Sequence, residues 1–411
     1  MKRNGPHGSG RLPSGPLASG PLASGPIAGG DSAPTLRPVA AAFTVFGVFW
    51  GSWAVTAADV EHDLRLSHGG FGLLLAFALA GAAVANAVTG ALAERWGTAV
   101  ALSRALWLWS LLLLLGTLAR GIATFAPCVA AAFAIGGAVD VVMNIAATAG
   151  LADSPGRLVQ FHAWFNAGAA VGAGMAGTLL HLGLTWRWVW VGVALVASAV
   201  GVACARATLP AGHAGDDASL FHAIRTVRAE HLVGLAIVFG MGALVEGGID
   251  TWGVLYMRDE LGAAVAVGAG ASMAGYAVAA AGRLFLGPVA GSLGTARGLG
   301  LGVGLCSVGI AVVAGANSPG LAAAGLVVAA GGISVSWPLL LAHASTGRDR
   351  PAAVVGGISS VGYLGLVLGP PLIGGLAQLT NLRWAMLGLA GVAALVAIAP
   401  SRLRPPAAPQ P

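Results

Sequence analysis

Residues 243–252 read ALVEGGIDTW, two carboxylates inside an apolar run that extends from 232 to 257. Glu246 and Asp250 are four residues apart, so a helix puts both on one face, one turn from each other. An ionised side chain costs about 3 kcal/mol or more at the centre of a bilayer, and the acids found there usually face a cavity or a partner. The composition says that a bilayer is the surround. The chain has 411 residues, 57% of them hydrophobic and 9% charged, where soluble domains carry roughly 25% charged residues.

Working outward from that run, twelve apolar segments approach the roughly 20 residues that a helix needs to cross the hydrocarbon core. They cover 39–58, 71–93, 99–118, 122–150, 159–182, 188–206, 232–257, 264–290, 297–316, 321–345, 352–379 and 383–400. The expected fold is all-α: a polytopic membrane protein with twelve transmembrane helices in two pseudo-symmetric six-helix bundles. Residues 37–206 form the first bundle and 232–400 the second, joined by a cytoplasmic linker at 207–231. Residues 1–36, with their repeated SGPLA and SGPIA, are too poor in large apolar side chains to offset ordering entropy and read as a disordered cytoplasmic tail. Residues 401–411 form a second tail.

The net charge of +6 has no basic cluster behind it, so nucleic acid is not an expected partner. Topology accounts for it. With both termini inside, only Arg65, Arg120, Arg187, Arg258 and Arg383 of the 21 Lys and Arg fall outside, a clear positive-inside bias. The location expected is the cytoplasmic (inner) membrane. Trp186, Trp188 and Trp190 then fall at the outer interface, where aromatic anchors are expected. Cys128, Cys204 and Cys306 show neither a pairing pattern nor metal-ligand spacing. A duplication supports the two bundles: GALAERWGTAVAL from 90 is echoed by GPVAGSLGTARGL from 287, and VFG at 45 by VFG at 238.

The loop motif GALAERWG resembles the signature between the second and third helices of the major facilitator superfamily. By that resemblance, Gly90 permits tight packing, Glu94 and Arg95 join a charge network that latches the cytoplasmic side, and Gly97 closes the motif as a further gating candidate. GGAVDVVMN from 136, RLVQFHAWFNAGAAVGA from 157, EGGIDTWGVLYMRDELGA from 246, GYAVAAAGRL from 275 and SSVGYLGLVLGPPLIGGLA from 359 are similar to a bacterial branch related to the fucose permease. Asp140 matches that branch's fourth-helix acid. The first segment has no central acid, since Asp59 stands near its outer end.

These residues point to secondary transport by alternating access around a site on the first, fourth, seventh and tenth segments. The substrate-binding or proton-coupling candidates are Asp140, Asn144, Glu246, Asp250, Trp53, Trp252 and Trp337. An acid is costly as an anion in low dielectric and can carry a proton instead, and an indole can stack on a sugar or an apolar ring. The alternatives are a helix-tying hydrogen bond for Asp140 and Asn144, backbone satisfaction for Glu246, and plain packing for each Trp. Gating candidates are His162 and Asn166, an i,i+4 pair in the fifth segment, and Arg283 in the eighth, which could neutralise an acid or snorkel. No Walker loop, HExxH or Gly-x-Ser-x-Gly elbow occurs, so no enzyme and no cofactor is expected. The function expected is proton-coupled uptake of a small solute such as a sugar or other polar metabolite, by a monomer. A proton-antiport exporter of amphipathic or cationic compounds is the alternative within transport. A non-transporting membrane sensor or regulatory partner is the alternative outside it.

Overall fold

A computed structural model describes residues 34–151, 155–211, 225, 227–229, 231–286, 295–345 and 351–399. The two tails, most of the linker and the second copy of the loop motif lie outside the described residues. Everything regular among the described residues is helical. In chain order the helices are α1 Arg37–Asp63, α2 His68–Trp96, α3 Thr98–Leu118, α4 Ile122–Gly150, α5 Pro155–Phe161, α6 Ala163–His181 and α7 Trp186–Ala205. The second set comprises α8 Val233–Asp259, α9 Val265–Ala281 with a π-helical turn over Gly282–Leu286, α10 Thr295–Gly315, α11 Pro319–Ile333, α12 Ser336–Ser345, α13 Pro351–Leu379 and α14 Leu382–Ile398. Among the described residues nine helices are long and apolar enough to cross a bilayer, and α11 and α14 are shorter apolar helices.

Local chemistry sets the boundaries. Ser67, Ser318 and Asn381 each accept a hydrogen bond from a backbone N–H in the first turn of α2, α11 and α14. Gly97 breaks α2 from α3 with φ +80°, a conformation that other residues adopt only under strain. Pro127 in α4 and the Pro370–Pro371 pair in α13 sit inside unbroken helices.

Three expected segments depart from a single helix. The fifth is interrupted at His162, the tenth at Ser334 and Val335, and the eighth widens into the π-helical turn that carries Arg283. Each falls at a polar side chain, His162, Ser334 or Arg283, inside an otherwise apolar run, where irregular backbone is tolerated only when it is buried in protein or lines a cavity.

The two halves repeat one packing pattern. α1 packs on α6 as α8 does on α13, α2 on α4 as α9 on α11, and α3 on α7 as α10 on α14. Between the halves, α6 meets α9, α2 meets α13, and α1 meets α8. The tightest seams rest on glycine. A Cβ at Gly51 would overlap the Ala169 carbonyl oxygen across α1–α6, and one at Gly365 would overlap the Gly240 carbonyl oxygen across α8–α13.

The tryptophan anchors are corrected by the structure. Trp188 is 58% exposed, whereas Trp186 and Trp190 are buried in an aromatic cluster with Phe125, Phe49 and Trp53. Depth along the helix placed all three near an interface; the helical period turned two of them inward.

Candidate functional site

The fourth-helix acid sits in a closed hydrogen-bond chain. The Asn144 amide donates to Asp140 Oδ1 at 2.9 Å and to the Asp140 carbonyl at 2.8 Å. From the other half, the Tyr363 hydroxyl on α13 donates to Asp140 Oδ2 at 2.5 Å. His162 Nε2 lies 3.1 Å from Asn144 Oδ1, and His162 Nδ1 lies 2.8 Å from the Leu158 carbonyl. That carbonyl can only accept, so Nδ1 carries a hydrogen. Because the helix stops at His162, the ring turns toward α4. The expected pairing of His162 with Asn166 on one helical face gives way to a bond between His162 and Asn144, while Asn166 is buried on α6.

The second-half acids are held more loosely. Arg283 approaches Glu246 Oε1 at 3.6 Å, and the Trp337 indole is its hydrogen-bonding neighbour. The Arg283 charge also reaches His162, where α5 touches the π-helical turn, so the two halves' polar groups adjoin. One turn along α8, Asp250 faces the buried Tyr276 hydroxyl, which is close enough to act on its charge but makes no well-formed hydrogen bond with it. Both line a cavity of about 20 Å³ with Ser272, Gly275 and Leu326, room for about one water.

The remaining candidates divide. Trp53 and Trp252 are fully buried against Phe71, on either side of the seam between the halves. Trp337 is half-buried and edge-on to Phe239 at 4.4 Å. Gly90 is buried on α2, while Glu94 and Arg95 are exposed and form no ion pair with any described residue.

Sequence reasoning passed over Tyr276 and Tyr363, although both stand in the quoted motifs GYAVAAAGRL and SSVGYLG. A lone phenol among glycines and alanines was the available signal. It also passed over the end of the molecule away from the start of α1 and the end of α14, here the far end. There Arg258 of α8 forms a two-pronged salt bridge with Asp59 of α1 and also reaches the Val55 carbonyl. His62 meets Asp259 at 3.2 Å and His68 meets Glu61 at 2.7 Å. Within the first half, Arg187 holds Asp63 at 2.7 Å and the Thr117 and Ala119 carbonyls at 3.0 Å each.

Acids and a cation from both halves, set where two repeated bundles meet, suit a carrier that moves a solute between them. Residues 39–350 and 235–411 match the family profile described as Major Facilitator Superfamily. The chain belongs to that superfamily. Relatives in it include an uncharacterised transporter of Yersinia pestis, 29% identical over 84% of this chain and 89% of its own. An uncharacterised transporter of Sinorhizobium fredii is 27% identical over 88% and 96%. Similar solved folds include the nucleoside transporter NupG, with a TM-score of 0.71 at 12% identity, covering 89% of this chain and 98% of that one. The human organic anion transporter MFSD10 gives 0.67 at 16% identity over 89% and 100%. The chain is therefore a multi-pass membrane protein and a secondary transporter for a small molecule, not an enzyme.

Proposed function

We propose that this member of the superfamily takes up a small polar organic solute together with protons across the cytoplasmic membrane. It spans twelve times when α5–α6 and α11–α12 each count as one broken span and α14 is included. The Lys and Arg distribution supports placing both chain ends, the tails 1–36 and 401–411 and the linker 207–231 in the cytoplasm. The carrying observation is that Asp140 is bonded to its own half by Asn144 and to the other half by Tyr363. A proton on Asp140 then bears directly on how the halves meet. The nearby Arg283–Glu246 pair and Asp250 supply the groups for solute hydroxyls or charge. Two structural neighbours are named for carrying polar organic molecules, a nucleoside and organic anions, which agrees with that class.

The hydrogen-bond chain offers a route for the proton. With Asp140 ionised, the Asn144 amide donates to it, and its oxygen calls for a hydrogen on His162 Nε2, hence an imidazolium. With the proton on Asp140, the amide turns over, accepts from Asp140 and donates to a neutral Nε2. One amide rotation links the two arrangements with the same number of protons.

The test begins with melting shifts of purified protein against sugars, nucleosides and organic acids, followed by flux of the hits in proteoliposomes. Uptake should rise with an inward proton gradient and fall at least about tenfold in Asp140→Asn and in Glu246→Gln. Flux indifferent to the gradient and to both substitutions would overturn the coupling. Gradient-driven movement out of the proton-poor compartment would replace uptake with export.

A further inference from the structure

We infer that Glu61, His68 and Asp259 bind a divalent transition-metal ion of the Zn²⁺ type that joins the two bundles at the far end. One donor atom from each of the three lies within 4.8 Å of the others. Glu61 is 1% exposed; its Oε1 takes His68 Nδ1 at 2.7 Å, while its Oε2 is buried without any hydrogen-bond partner. A carboxylate oxygen left in that condition is costly, and a cation is the ligand that satisfies it. His62 Nε2, 3.2 Å from Asp259 Oδ2, is a fourth donor on the solvent side, where its side chain is 56% exposed and marks the way in.

Two imidazoles with two carboxylates suit Zn²⁺ or Co²⁺ better than Ca²⁺ or Mg²⁺, which select oxygen donors. Four bonds of about 2.1 Å in a tetrahedron set donors about 3.4 Å apart, so Glu61, His68 and Asp259 need rotamer shifts of about an ångström, while His62 lies outside their 4.8 Å group and swings in from solvent. α1 and α8 both end here and point their negative dipole ends at the ion, while α2 begins here and opposes it. Glu260 and the Arg258–Asp59 bridge stand beside the cluster. Glu61, His62 and His68 belong to the first bundle and Asp259 to the second. The complete site therefore exists only while the bundles meet at this end, and a bound ion stabilises that arrangement by mass action.

The experiment uses the full-length protein in detergent, with any histidine tag removed. Zn²⁺ is titrated against a chromophoric chelator, and Co²⁺ is read by its visible absorption. The expected result is one ion per chain, four-coordinate Co²⁺ bands, and affinity at least about tenfold weaker in His68→Ala and in Asp259→Asn. Asp63→Asn, which removes an acid of the same end held by Arg187, leaves affinity unchanged. Zn²⁺ slows amide exchange around 59–68 and 257–265 in the wild type and in Asp63→Asn, and not in Asp259→Asn. Should His68→Ala fail to fold, Asp259→Asn carries the comparison. Absence of binding, binding that neither substitution weakens, or equal protection by Mg²⁺ overturns the site.

Discussion

The two halves share a helix-packing plan and differ in how they hold their acids. In the first, each hydrogen-bonding group of the Asp140–Asn144–His162 chain has a partner at 2.5 to 3.1 Å. In the second, Glu246 has its cation at 3.6 Å with the Trp337 indole beside it, and Asp250 faces a phenol with which it makes no well-formed hydrogen bond. A satisfied network fixes geometry, whereas a slack one leaves bonding capacity for something that arrives. Under the proposed function, positioning and proton handling fall to the first half and solute contact to the second.

The largest expected effect tests what the halves share. Gly51→Leu and Gly365→Leu each push a side chain into a carbonyl oxygen of the partner helix and should cost about 3 kcal/mol or more, seen as loss of monodisperse protein on size-exclusion chromatography. If only one is harmful, the halves are less alike than their packing. Next, Arg283→Met leaves Glu246 without its cation. The pair is partly open, with 26% of the Glu246 side chain exposed, so about 2 kcal/mol is expected, below the value for a sealed pair. A smaller loss measured by thermal melting would mean that the pair is already broken in solution.

The sharpest contrast comes from two identical chemical changes. Tyr363→Phe deprives Asp140 of a bond at 2.5 Å and should cost about 1–3 kcal/mol. Tyr276→Phe removes a hydroxyl that faces Asp250 without a well-formed hydrogen bond and should shift stability by less than about 0.5 kcal/mol, while weakening solute binding. Equal melting losses for the two would erase the distinction between a closed and an open half.

Much of this architecture is legible in the chain because lipid imposes one rule on every span: about 20 apolar residues, with charge at the ends. The all-helical fold of long apolar segments, the Glu246–Asp250 face and the Asp140–Asn144 face all follow from that rule and the helical period. The breaks at His162 and Ser334 do not, since a polar residue inside an apolar run is compatible with an unbroken helix. The Asp140–Tyr363 bond joins residues 223 apart and the Asp59–Arg258 bridge residues 199 apart; no local pattern encodes either. Trp190 shows the limit from another side, because its depth along α7 was readable and its direction was not.

At the seam between α2 and α13, a Cβ on Gly72 would lie 2.5 Å from the Pro370 carbonyl oxygen, and one on Gly374 would collide with the His68 carbonyl. Backbone lies directly on backbone at these two points, with the Trp252 ring beside the second of them, 3.1 Å from that Cβ. Contacts of this kind resist parting through dispersion and weak C–H···O bonds. Parting the halves on this side therefore also means breaking the ion pairs that cross its rim, Asp59 with Arg258 and His62 with Asp259.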